Sequence, residues 1–244
     1  MKVTLNPWND GLDNIRVRII NDVILILNNF LKNDSLFLND LIIQYSGNSN
    51  CAFADDRPCT HFDRSIICIS STGSHWCQFV YQLSHELCHC STSKVTLPKP
   101  IKWFDEFICC CASFLTEKYI SMIATNQFDY MFGSRTKNVF TNYLASTQED
   151  HIYQVPNVTN FFIEYRSRYE NDENLIKKHD VYVRTFFKEI NNDWRGLTFI
   201  GKMWKIDIGA IRTIEDYLMR LLNMCNEIEK ETLTIVINMF ALKI

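Results

Sequence analysis

The chain has 244 residues, with 25 Lys+Arg against 28 Asp+Glu and a formal net charge of −3. Hydrophobic residues at 47% and charged residues at 22% are the composition of a folded globular protein rather than a disordered tail. With no block of lysine or arginine, nucleic acid is not expected as the main partner.

Seven glycines and five prolines are few for a turn-rich sandwich or barrel, so a mostly helical chain with a small sheet is expected. Residues 14–32 place Ile15, Ile19, Ile20, Val23, Leu27 and Phe30 near helical spacing and predict an amphipathic helix. Leu41–Tyr45 is a β-branched run that reads as a strand, followed by irregular sequence over 46–63. Ser65–Ser70 reads as a second strand, stopped by Ser-Thr-Gly-Ser. A helix is expected from about His75 to Cys90 with Ser74 as its N-cap. After a loop at 94–100 with two prolines, a second helix is expected over 101–123. Residues 124–136 form the best candidate boundary. Beyond it, helices are expected near 137–149, 157–170, 173–191 and 213–230, while Leu233–Leu242 fits helix or strand. The fold class is therefore α+β and predominantly helical, with residues 1–123 as one unit and 124–244 as a helical subdomain.

The longest apolar stretches, such as Phe107 to Leu115, are too short to span a bilayer. No basic-then-apolar leader follows Met1. A cytoplasmic protein with no membrane partner is the expectation. The ten cysteines include no CxxC pair, the half-site that zinc fingers and ribbons require. Reduced thiols acting as small core hydrophobes are expected instead.

Residues 85–89 read His-Glu-Leu-Cys-His, an H-E-x-x-H motif. Two histidines four apart lie on one helix face, so both imidazoles can reach one Zn2+ ion, and the glutamate between them can take a proton from water on the metal. At about 100° per residue, with His85 at zero, His89 falls near 40° and Glu86 near 100°. Trp76, Val80, Leu83 and Leu87 fall at about 160–220°, so the apolar stripe is opposite the histidines. One face is expected to pack into a core and the other to offer ligands to a cleft. No histidine occurs between His89 and His151, and the metzincin extension is absent. A carboxylate is the expected third ligand, and Glu106 lies on the next helix. Its face is opposite the apolar Phe104, Ile108, Cys111 and Leu115, whereas Asp105 is rotated about 100° away.

Ser84 to His89, followed by Trp103-Phe104-Asp105-Glu106-Phe107-Ile108-Cys109-Cys110-Cys111-Ala112-Ser113, resembles the zincin-like metallopeptidases of gluzincin type. The resemblance covers about residues 60–120. It implies that residues 1–123 form a zincin-like catalytic unit in which His85, His89 and Glu106 bind Zn2+. It further implies that Glu86 is the general base in hydrolysis of a peptide or protein substrate. Thermolysin-like members carry an aspartate four residues after the ligand glutamate, and Cys110 stands there instead, so the partner of the ligand histidines is unidentified. The resemblance also makes Ser65–Ser70 a candidate edge strand for an extended substrate, against the alternative of an ordinary core strand. Cys110 shares the Glu106 face and is a minor thiolate candidate, while His61, His75, His151, Tyr130 and Tyr143 are unranked candidates for an oxyanion contact. Rival readings are a non-catalytic zinc-binding regulatory or interaction protein, a helical interaction protein without metal, and a hydrolase of non-peptide amides.

Overall fold

Among the described residues, Val3–Leu5 (β1), Leu41–Tyr45 (β2), Cys59–His61 (β3) and Ile66–Ile69 (β4) form a small sheet in the order β1-β2-β4-β3, with β3 antiparallel and the other three parallel. The computed structural model describes residues 3–6, 8, 10–31, 40–46, 59–61, 66–92, 97–123, 126–149, 157–172, 175–176 and 180–244. Between β1 and β2 runs helix α1, Asp13–Leu31, the crossover that a parallel pair requires. β2 pairs with β4 in register Ile43↔Ile67, and β3 pairs antiparallel with β4 through Thr60↔Ile67. The expected strand at 65–70 is therefore an interior strand with a neighbour on each side, and among the described residues the edges are β1 and β3. Neither β1 nor β3 is expected from the sequence, since three-residue strands carry too little periodicity to register.

Helix α2, Trp76–Thr92, and helix α3, Lys99–Met122, follow the sheet. His75, rather than Ser74, stands at the position before α2. Past α3 the expected boundary at 124–136 contains short helical turns, including α4, Asp129–Phe132. The remaining helices are α5 (Thr136–Glu149), α6 (Val158–Asn171), α7 (Val181–Glu189), α8 (Ile214–Met224) and α9 (Glu227–Met239). Two departures from expectation have local causes. The expected helix at 173–191 ends at Glu189, and Asn191 and Asn192 follow with φ of 51° and 55°, a left-handed turn that asparagine tolerates. The expected helix at 213–230 divides because Asn226 starts a new one. Its side chain accepts from the Glu229 amide, and the Glu229 side chain accepts from the Asn226 amide. α9 then carries the 233–242 stretch as helix. A twelve-residue 3-10 segment, Trp194–Lys205, was not expected.

The chain divides into two compact units, the first made of Met1–Asn29, Asp34–Cys90 and Ala112–Asp150, the second of Phe30–Asn33, Ser91–Cys111 and His151–Ile244. Helix α3 contributes to both.

In the first unit, Ile19, Ile20, Val23, Leu27, Ile43, Ile67, Phe79, Val80 and Leu83 are buried. Arg16 is fully buried among them, paired with Asp10 at 2.6 Å and Asp13 at 3.1 Å, its guanidinium 4.8 Å from the Trp8 ring centroid. The bond from Arg16 holds the Asp10 carboxyl down to about 2. Gln82 fixes α2 against β4. Its side-chain oxygen accepts from the Ser70 and Ser71 amides at 3.1 and 3.0 Å, and its nitrogen donates to Ser70 Oγ at 2.8 Å. The Ser113 hydroxyl donates to the Tyr81 carbonyl at 2.9 Å and so joins the later part of α3 to α2.

In the second unit, Phe240 lies at the centre of an aromatic cluster. Its ring centroid is 5.2 Å from Trp103, 5.0 Å from Phe107, 4.6 Å from Phe162 and 5.4 Å from Tyr182. The buried Glu229 accepts from Thr198 Oγ1 at 2.7 Å and from Lys202 Nζ. Burial alone would raise its carboxyl, but these bonds and the Asn226 amide hold it below the usual range. Alongside, Gly196 meets α9. A Cβ there would stand 1.8 Å from Thr232 Oγ1 and 2.8 Å from the Ile228 carbonyl oxygen. Gly196→Ala is expected to destabilise the protein by about 1–3 kcal/mol through overpacking, read as a lower urea midpoint; an unchanged midpoint would mean that this contact is loose.

Candidate metal centre

One ligand atom from each of His85, His89 and Glu106 lies within 4.8 Å of the others. Helix geometry explains the first two. Residues four apart project from one face, and the two imidazoles meet edge-on with ring centroids 4.9 Å apart. Tyr81, one turn earlier, stacks on His85 with centroids 6.4 Å apart. Glu106 comes from the second turn of α3. Tetrahedral zinc with bonds of 2.0–2.2 Å separates its donors by roughly 3.3–3.6 Å. A cluster within 4.8 Å therefore needs only small side-chain adjustment to close on an ion. Two imidazole nitrogens and one carboxylate oxygen form a donor set that divalent transition metals, zinc among them, accept.

The surroundings differ from the expected open face. From Gln82 to Cys88 every residue is buried, as is every residue from Trp103 to Ser113. His85 is 5% exposed, Glu86 3% and Glu106 6%, while His89 is half-buried. The apolar stripe of α2 is buried as expected, yet the ligand face is covered too. Asp105 and Glu117 on α3 are also buried. Removing an ionised carboxylate from water costs several kcal/mol unless charge or hydrogen bonds compensate. The His85–His89–Glu106 group could hold a dication, which would offset part of that cost.

His89 also belongs to a second group, with Asp105 and Cys109, whose ligand atoms lie within the same distance of one another. Asp105 and Cys109 are four apart and so share a flank of α3, about 60–100° round from Glu106. A histidine that gives one nitrogen to a metal keeps the other for an acceptor, and a carboxylate there fixes ring orientation and raises ligand basicity. Asp105 shares this second group with His89 and is the residue to test in that role. Its charge, after burial, also pushes the Tyr217 hydroxyl up. The i,i+4 spacing of Asp105 and Cys109 was the available signal. Cys110, the thiol expected on the Glu106 face, is in neither group.

The eight cysteines whose side chains are described are free thiols. Cys90 is pushed up to about 12 by burial and the charge of Glu86, and Cys77 to about 12 by burial and the charge of Glu117. Both remain protonated and unreactive at neutral pH. The oxyanion candidates disperse. Tyr130 donates to Asp22 Oδ2 at 2.8 Å, Tyr143 is pushed up by burial, Glu117 and Cys77, and His75 is exposed ahead of α2. His151 lies outside the described residues, as does the side chain of His61.

A residue that sequence reasoning missed touches the motif directly. Thr60, in the stretch expected to be irregular, donates from Oγ1 to Glu86 Oε2 at 2.7 Å. Nothing in its sequence neighbourhood signals this, because it depends on β3 pairing with β4.

These features define an α+β protein with a small mixed sheet and two helices that gather a group able to hold a metal ion. No protein-family model matches the chain, and neither a curated protein nor a solved structure matches it. No described helix is long and apolar enough to cross a membrane.

Metal content separates the roles of these residues. Wild type is expected to take up about one zinc per chain, and Glu106→Ala clearly less, by mass spectrometry of dialysed protein. Asp105→Ala is expected to keep the site but weaken it roughly 10–100-fold, read by competition with a chromogenic chelator. An Asp105→Ala protein with wild-type affinity would remove Asp105 from the centre.

Proposed function

We propose that the chain is a zinc-dependent metallopeptidase with a zincin-like unit of gluzincin type. The observation that carries this reading is the grouping of His85 and His89 from one helix face with Glu106 from the next helix. His85, His89 and Glu106 would hold the zinc. Zinc bound there would supply Lewis acidity, lowering the pKa of water and polarising a scissile carbonyl. Glu86 takes a proton from the attacking water and delivers it to the leaving amine. It lies one residue after His85, on the same buried stretch of α2, with a hydroxyl already directed at its carboxylate.

The sheet supports a peptide substrate. β3 is an edge strand, and through Thr60 it reaches Glu86. An extended peptide adding to such an edge gains main-chain hydrogen bonds without any particular side chain. The near-neutral charge balance also fits a protein or peptide partner better than nucleic acid, with the cytoplasm as the location. The deep burial of Glu86 favours a second reading, a regulatory or interaction protein in which the same zinc is not catalytic.

Glu86→Gln decides between the two. It is expected to retain about one zinc per chain while peptide cleavage falls at least 100-fold, measured by mass spectrometry of a peptide library after incubation. Cleavage that survives the substitution would remove Glu86 from the chemistry. A zinc-loaded wild type that cleaves nothing, and whose zinc matters only to stability or partner binding, would favour the regulatory reading.

A further inference from the structure

Among the described residues, Thr60 is the hydrogen-bond partner of the Glu86 carboxylate. Its Oγ1 lies 2.7 Å from Oε2 and 3.2 Å from the Glu86 carbonyl oxygen. A hydroxyl carries one proton, and an ionised carboxylate is the stronger acceptor, so the shorter bond holds it. The donor is carried by the sheet. Thr60 is the middle residue of β3 and sits opposite Ile67 of β4, and the end of β4 is bonded to α2 by Gln82. Threonine is also stiff about χ1. A glutamate has three rotatable bonds, and this contact removes much of that freedom at its tip.

We propose that Thr60 is a positioning residue for Glu86, holding Oε2 so that Oε1 is the oxygen that exchanges a proton with the reacting water. The inference rests on the peptidase reading and adds a residue to it. A purely structural role, in which the bond only ties β3 to α2, predicts a loss of stability with no effect on chemistry at Glu86. The positioning role predicts the reverse.

The test uses the full zinc-loaded chain and acetohydroxamate, a probe that chelates a metal through two oxygens and passes its proton to a neighbouring carboxylate. Its affinity, measured by calorimetry, reads where the Glu86 carboxylate stands and requires no substrate. Thr60→Val removes the hydroxyl and keeps the shape. It is expected to weaken binding about tenfold, with zinc content and thermal midpoint near those of wild type. Thr60→Ser is expected to restore binding to within about twofold. In a Glu86→Gln background, Thr60→Val is expected to add no further loss. Wild-type affinity in Thr60→Val, failure of Thr60→Ser to rescue, or an undiminished loss in the Glu86→Gln background would each overturn the proposal. So would loss of zinc or of folding in both Thr60→Val and Thr60→Ala, which would make the residue structural. Any of these leaves the peptidase reading standing. A zinc-loaded wild type that binds no hydroxamate overturns that reading and this inference with it.

Discussion

Carboxylates do not leave water without compensation, and this chain buries Glu86, Asp105, Glu106 and Glu117 along two consecutive helices. Some of the contacts around α2 and α3 bear on that cost. Glu86 receives the Thr60 hydroxyl. Glu106 and Asp105 are each gathered with imidazole nitrogen, and His89 belongs to both groups. An interior that concentrates acidic oxygen beside histidine nitrogen is suited to a divalent cation, and the proposed zinc would complete the compensation.

Contacts within each unit fix parts of α2 and α3. Gln82 bonds α2 to the end of β4, and Ser113 bonds α3 to the Tyr81 carbonyl. The earlier part of α3 is fixed by aromatic packing, with Trp103 and Phe107 against Phe240. Full burial of α3 from Trp103 to Ser113 also accounts for its run of Cys109, Cys110, Cys111, Ala112 and Ser113. Small side chains let neighbouring elements approach on every side, and thiols there serve as compact apolar groups. Burial pushes the thiols of Cys77 and Cys90 upward, which keeps them out of reaction at neutral pH.

The edge strand deserves equal weight in the proposed chemistry. β4, the stronger strand in the sequence, is enclosed by β2 and β3, and among the described residues β3 has no neighbour on its other side. In the peptidase reading this short strand has two uses, since it offers main-chain groups to an extended peptide and carries the hydroxyl that holds Glu86. A change in β3 would then affect substrate alignment and proton transfer together.

Local pattern determined the long helices, β2 and β4, and the spacing of His85, Glu86 and His89, because period and capping act over a few residues. The α+β class followed from the same signals. The rotation of α3 also separates Glu106 from the apolar face, and the structure groups it with His85 and His89. Other features were not legible. β1 and β3 are three residues each and exist only through pairing with strands far away in sequence. The covering of the ligand face came from residues outside α2, which no periodicity within α2 can reveal. Asp105 joined His89 because α3 turns that flank towards it, and Thr60 reached Glu86 because β3 pairs with β4. The motif and its helices are short-range properties that the sequence determines by itself. Which carboxylate lies beside which histidine, and which hydroxyl bonds Glu86, are long-range contacts that tertiary structure alone decides.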